Sequence, residues 1–182
     1  MLDHCYWCYW CQALVLLALV AASSAKPAVG IEPYAYYPCD AEDMDEGGIH
    51  VECPFMNQPA SVAQAFIRNA PNNDIRSLHF HSDFEEGVLD YLADNDLLSG
   101  SYNTIKDLYV GYSSPTTFPK LLSKLTALEH LRFDHVNIQH LYAGAMALAS
   151  PQTLKLLTFT YAPLYTFEAG AFPGAFNTFA HR

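Results

Sequence analysis

The sequence predicts an α/β coil of stacked repeats, each adding one short strand to a shared parallel sheet and returning through a helical or irregular segment. Three observations predict it. An apolar triplet recurs at positions 1, 4 and 6 of a template, as Ile75, Leu78, Phe80; Ile105, Leu108, Val110; Leu128, Leu131, Phe133; and Leu154, Leu157, Phe159. The starts at 75, 105, 128 and 154 lie 30, 23 and 26 residues apart, a period of one supersecondary unit per copy. Positions 4 and 6 are two residues apart, so in an extended chain both side chains point to one face. A single copy cannot bury that face alone, and stacking neighbours makes a continuous core.

The elements follow in order. Residues 1–25 read as a signal peptide: the apolar run Ala13 to Ala22 is followed by Ser23-Ser24-Ala25 and a cut before Lys26. The leading stretch has no Lys or Arg, and Asp3 is acidic. Extended back to Cys5, the apolar segment reaches 18 residues broken only by Gln12, which leaves an uncleaved membrane anchor as the alternative. Cys5, Cys8 and Cys11 belong to this part. Cys39 and Cys53 are the pair that remains, an even number suited to an oxidising compartment. A bridge between them would stabilise the chain by roughly 3 kcal/mol through loop closure.

Residues 26–38, rich in Pro and Tyr, are expected as an extended lead-in. Residues 39–74 are expected as an N-terminal cap. Its acidic stretch Asp40, Glu42, Asp43, Asp45 and Glu46 lacks calcium-loop spacing and reads as a solvated turn, with a short strand in Ile49-His50-Val51. A helix is expected over 61–70, with Ser61 and Gln64 forming a capping box and Pro71 ending it. Residues 75–182 hold about four repeats, with returns such as Phe84–Leu98 and Pro119–Leu125. Ile138 and Leu141, then Leu164 and Phe167, continue the pattern at positions 11 and 14, and Ala171-Phe172 adds a small-plus-aromatic pair. No C-terminal cap is visible, so the chain is expected to be a fragment, a truncated gene product, or a protein whose open end a partner covers.

These residues resemble extracellular leucine-rich-repeat proteins: a leader, a Cys-bearing cap, then repeats. Cys39-Asp40-Ala41-Glu42-Asp43, the second cap cysteine, Gln64-Ala65-Phe66 and Asn72-Asn73-Asp74-Ile75-Arg76-Ser77-Leu78 resemble more narrowly a group of arthropod proteins. That group is similar to the non-catalytic subunit of decapod shrimp luciferin 2-monooxygenase. The resemblance implies a leucine-rich-repeat solenoid and a binding or stabilising subunit rather than the oxidising component. The chain departs from the family at position 9, where a stacked Asn is usual and Asp83, Ser113, Val136 and Ala162 stand instead. The cap also has two cysteines where four are common.

Residues flanking positions 4 and 6 are expected on the exposed, concave face of the sheet. They include His79 and His81, Tyr109, His130, Arg132 and Asp134, and Thr158, with His79, Tyr109 and Arg132 in one row. Tyr and Arg are frequent anchors in protein interfaces, and the face is read as binding an extracellular protein or glycan. A metal site on His79, His81 and Asp134 lacks a third ligand on the adjacent strand. Hydrolytic use of His130 and Asp134 lacks a Gly-x-Ser-x-Gly elbow, and Ser77 is too far along the sheet from Asp134.

Net charge of −10, from 19 acidic residues against 9 Lys and Arg, disfavours a nucleic-acid partner. There is no P-loop or Gly-x-Gly-x-x-Gly, hence no nucleotide is expected. No cofactor or metal is expected. A secreted, non-catalytic binding or adaptor subunit is the expected function. The ectodomain fragment of a membrane-anchored receptor is the alternative, and an enzyme comes third. A membrane enters only through an uncleaved leader or an anchor beyond this chain.

Overall fold

A computed structural model describes residues 31, 34–54, 59–69, 74–81, 88–112, 118–168, 170–171 and 179–181. The chain divides into two units, residues 1–30 and 31–182, and all described residues belong to the second. The leader with Cys5, Cys8 and Cys11 lies outside the described residues, as do Asp83, Ser113 and Phe172.

The architecture is mixed α/β around a mostly parallel sheet. The strands are β1 (Asp40–Asp43), β2 (Ile49–Cys53), β3 (Ile75–His81), β4 (Asp107–Gly111), β5 (His130–Asp134), β6 (His140–Leu141), β7 (Leu156–Thr160), β8 (Thr166–Phe167) and β9 (Phe179–His181). Seven form one sheet in the order β1-β2-β3-β4-β5-β7-β9, and β6 and β8 pair separately. β1 and β2 are an antiparallel hairpin, and every other pairing is parallel.

The four apolar triplets place their positions 4 and 6 on β3, β4, β5 and β7 in unbroken register. Leu78, Leu108, Leu131 and Leu157 form one row and Phe80, Val110, Phe133 and Phe159 the next. All eight are buried. Each such side chain contributes about 1.5–3 kcal/mol by leaving water. At position 6 the neighbouring Phe133 and Phe159 rings stack with centroids 5.3 Å apart, and Phe118 meets Phe133 edge-on at 5.4 Å.

The sheet is wider than the repeats alone predict. β2 runs parallel to β3, with Val51 opposite Leu78 and Cys53 opposite Phe80, so the cap supplies an additional parallel strand. The hairpin turns at Gly47 and Gly48, with φ of 80° and 85°, a conformation open to glycine at little cost. A Cβ on Gly48 would also sit 2.6 Å from the Arg76 side chain. The disulfide joins Cys39 to Cys53, across a sequence separation of 14.

The lead-in differs from its expectation, and the cap helix is present with slightly different bounds. Residues 34–38 form turns rather than an extended lead-in. Burial drives this: Tyr36 is 3% exposed and meets Phe66 edge-on at 6.0 Å, which an extended segment over the surface could not do. The helix α1 spans Pro59–Asn69 instead of 61–70. Ser61 therefore stands inside the first turn, not at the cap, because Pro59 is well suited to the start of a helix. Val62, Ala65 and Phe66, at the spacing of one helical face, are buried while Gln64 is exposed.

The helical pieces described in the returns are short. Helix α2 (Val88–Asp94) buries Val88, Leu89, Leu92 and Ala93. Lys120–Ser123 forms a 3-10 turn with Leu121 and Leu122 buried, and Pro151–Thr153 forms another. The position-9 residues Val136 and Ala162 turn inward, Val136 buried and Ala162 packed partly against the core. The cross-links a stacked Asn would supply are made elsewhere. Thr104 Oγ1 donates to the Ile75 carbonyl at 2.8 Å and Thr153 Oγ1 to the Leu128 carbonyl at 2.8 Å. Each threonine immediately precedes one triplet and bonds to position 1 of the triplet before it.

Candidate functional site

Alternation along the strands leaves the other side of the sheet facing solvent. Register aligns Glu52, His79, Tyr109, Arg132 and Thr158 in one row across β2, β3, β4, β5 and β7. His50, Ser77, Asp107, His130 and Leu156 form the row before it, and His81, Gly111, Asp134 and Thr160 the row after. All seven sequence-predicted face residues thus fall on three adjacent rows. His81 and Asp134 share a row with Gly111 between them, two strands apart as expected.

The polar side chains connect into a chain across four strands. His50 Nδ1 lies 2.8 Å from Ser77 Oγ, and that hydroxyl lies 3.2 Å from His79 Nε2. It can donate to one imidazole while accepting from the other. His79 Nε2 is 3.8 Å from Asp107 Oδ2, to which Arg132 Nη2 donates at 2.6 Å. At the other end His81 Nε2 meets Glu52 Oε1 at 2.9 Å, and His50 Nε2 is 3.9 Å from Glu52 Oε2. The imidazoles also touch face to edge, His50 and His79 with centroids 4.5 Å apart.

Tyr109 lies along its own strand. Its hydroxyl donates to Asp134 Oδ2 at 3.0 Å, its ring is 4.7 Å from His81, and Arg132 Cζ is 6.0 Å from the ring centroid. Gly111 makes room for this: a Cβ there would be 2.8 Å from the tyrosine hydroxyl.

Charge follows from these contacts. Burial, then the hydrogen bond to Asp134, pushes the Tyr109 phenol up to about 12. Burial raises the Asp107 carboxyl, but His79 and Arg132 together outweigh it and hold the group below its ordinary value. Burial lowers His50, with His79 adding to the effect, against the pull of Glu42, Glu52 and Asp107.

Chemically the face offers hydrogen bonding and ion pairing. Ser77 is 6% exposed and held between two imidazoles, so its hydroxyl is engaged within the face. Among the described residues no group of three His, Cys, Asp or Glu is placed to hold a metal ion. Among them, too, no helix is long and apolar enough to cross a membrane.

Two sets of residues escape the repeat template. His50 and Glu52 join the face because β2 joins the sheet; the alternation of inward Ile49, Val51 and Cys53 is the signal that could have placed them. Tyr112, His135 and Tyr161 each follow their strand directly, at position 8, with φ of 45°, 51° and 51°. Their rings stack in sequence, with centroids 4.4 Å apart at both steps. Their spacing of 23 and 26 residues repeats that of the triplets, and three rings at one template position was the available clue.

No family model, curated protein or solved structure matches this chain. The functional reading therefore rests on the residues and their geometry.

Proposed function

We propose that the chain is a secreted leucine-rich-repeat module that binds another extracellular protein through the solvent-facing side of its parallel sheet, as a non-catalytic binding or adaptor subunit. The observation that carries the reading is the row Glu52, His79, Tyr109, Arg132 and Thr158, five strands wide in continuous register. Glu52, His79, Tyr109 and Arg132 are already held by side chains of the two flanking rows, and groups held in place lose less freedom when a partner arrives. Sequential strand order, parallel register and the threonine links from copy to copy support a solenoid of stacked repeats.

Size sets a condition on the partner. At about 4.8 Å per strand and 3.3 Å per residue, five strands of five residues cover roughly 19 by 16 Å. That is about 300 Å², short of the roughly 800 Å² each partner buries in a stable complex. The position-8 rings, of which Tyr161 is 71% exposed, extend the face at the strand ends and would belong to the same interface.

Site-specific photo-crosslinking tests the reading. A photoreactive residue replacing Thr158 should yield a discrete protein adduct in the fluid from which the protein is drawn. The same group replacing Ser123, on a return segment, should not. Adducts from Ser123 alone, or equal smears from both, would defeat the assignment.

A further inference from the structure

We propose that the His50–Ser77–His79 bridge is a proton-operated latch between the cap hairpin and the first repeat strand: acidification charges His50 inside the join and loosens β2 from β3. The inference goes beyond the binding reading and does not depend on it, since the chain alone displays it.

The join is built from few parts. β2 is the strand through which the disulfide-tied hairpin meets the repeats, and it pairs with β3 from Ile49 to Cys53. A register irregularity between Ile49 and His50 marks its start. At His50 a side-chain bridge spans the same edge, through Ser77 Oγ at 2.8 Å and on to His79. Both Ser77 and the His50 ring are largely shielded from water, the imidazole side chain being 17% exposed.

Each element packed around His50 presents a titratable group. From β1 comes Glu42, its register partner. From its own strand comes Glu52, from β3 His79 and His81, and from β4 Asp107. Three carboxylates in reach would ordinarily welcome a proton on the imidazole. Two of them are engaged with other partners. Glu52 lies closer to His81, at 2.9 Å against 3.9 Å to His50, and Asp107 accepts from Arg132 at 2.6 Å. Glu42 remains to favour the charge, but burial and the second imidazole, 4.5 Å away, outweigh it.

The direction of the shift agrees with the geometry. Burial first, then His79, holds His50 below its ordinary 6.5. In the window from 6.5 down to that lowered value the unfolded or detached strand binds more protons than the docked one. Stability of the join is therefore complete above 6.5 and is lost as pH falls through the lowered value.

Hydrogen exchange read residue by residue, together with imidazole NMR titration, tests the proposal on the purified chain. After correction for intrinsic rates, amides bonded across the β2–β3 edge should lose protection severalfold between pH 7 and pH 5. Those across β5–β7 should keep theirs, and His50 should titrate below 6.5. His50→Asn, which retains a polar atom near the Nδ1 position, should abolish the selective loss. His79→Asn removes the neighbouring imidazole and should shrink it, which serves if the first variant does not fold. Uniform loss across the sheet, no loss at the β2–β3 edge, or an undiminished loss in either variant would overturn the latch.

Discussion

Tyr109 on β4 donates its hydroxyl proton to Asp134 Oδ2 on β5, 3.0 Å away and two residues further along the register. Arg132 reaches from β5 the other way, to Asp107 on β4. The two contacts cross the same strand pair on parallel diagonals, each joining a β4 residue to the β5 residue one row further along. They fix the relative register of β4 and β5 from the solvent side, as Leu108, Leu131, Val110 and Phe133 fix it from the core side. Face and core thus specify one alignment, so substitution of any of these four face residues is expected to affect stability.

Gly111→Ala tests the tyrosine arm. The new Cβ would stand 2.8 Å from the Tyr109 hydroxyl, so the ring must swing away and release Asp134. Loss of one such bond should cost about 1 kcal/mol. The Tyr109 phenol, held up at about 12 by burial and by Asp134, should fall towards 10 once the ring enters water. NMR of ring-labelled tyrosine reads both changes; a ring that stays in place with its titration unmoved refutes the account.

The acid limb of stability tests the other diagonal. The Asp107 carboxyl is held below its ordinary value of 3.8 because His79 and Arg132 outweigh the effect of burial. The folded form therefore binds its proton later than the unfolded chain. The stability this supplies is present above 3.8 and disappears as pH drops through the lowered value. In urea titrations the unsubstituted chain should show that decline below pH 4, and Asp107→Asn should show less of it. Arg132→Ala should cost about 1–2 kcal/mol at neutral pH, since it leaves a half-buried carboxylate without its main partner. Nothing in the sequence indicates that Arg132 is held in this way.

How far the sequence revealed this arrangement depends on which contacts are local in the pattern. Apolar residues at positions 4 and 6 have one way to be buried together. They announce β3, β4, β5 and β7 and, through their spacing, the row containing His79, Tyr109, Arg132 and Thr158. Contacts that depend on how far apart in space two segments come were not legible. His50 reads as one polar residue in an acidic cap until β2 lies against β3. Thr104 and Thr153 read as ordinary turn residues until the preceding copy brings a carbonyl to each. Tyr36 looks like part of a solvated lead-in, yet Phe66, some thirty residues later, draws it into the core.

Leu131→Ala should separate core from face. Leu131 is 0% exposed at the centre of the row formed by Leu108 and Leu157, so truncation leaves a cavity and should cost about 2–5 kcal/mol. Thr158→Ala, one residue away in register on the adjacent strand but facing solvent, should change stability by about 0.5 kcal/mol or less. Chemical denaturation of the two variants side by side gives the comparison. Equal losses would mean that the sheet has no wet side, and the proposed binding face would go with it.

The threonine links offer the sharpest test of how one copy is tied to the next. Thr153 Oγ1 lies 2.8 Å from the Leu128 carbonyl and, within its own turn, 2.8 Å from the Ser150 carbonyl, which share its single proton. Thr104 does the same with Ile75 at 2.8 Å and Ser101 at 3.2 Å. The copy beginning at Leu128 has Ala127 at this place and no such hydroxyl. Valine at 104 or 153 keeps the shape and removes the donor, leaving a part-buried carbonyl short of a partner, and should cost about 1–2 kcal/mol. Because each bond joins adjacent copies, the two losses should add in the double variant, the sites being too far apart in sequence and strand order to share a partner. Ala127→Thr should do the reverse if its hydroxyl finds the Ile105 carbonyl, raising stability by about 1 kcal/mol. Denaturant midpoints of the four variants decide it: valine substitutions without effect would mean that burial of the triplets alone holds neighbouring copies in register.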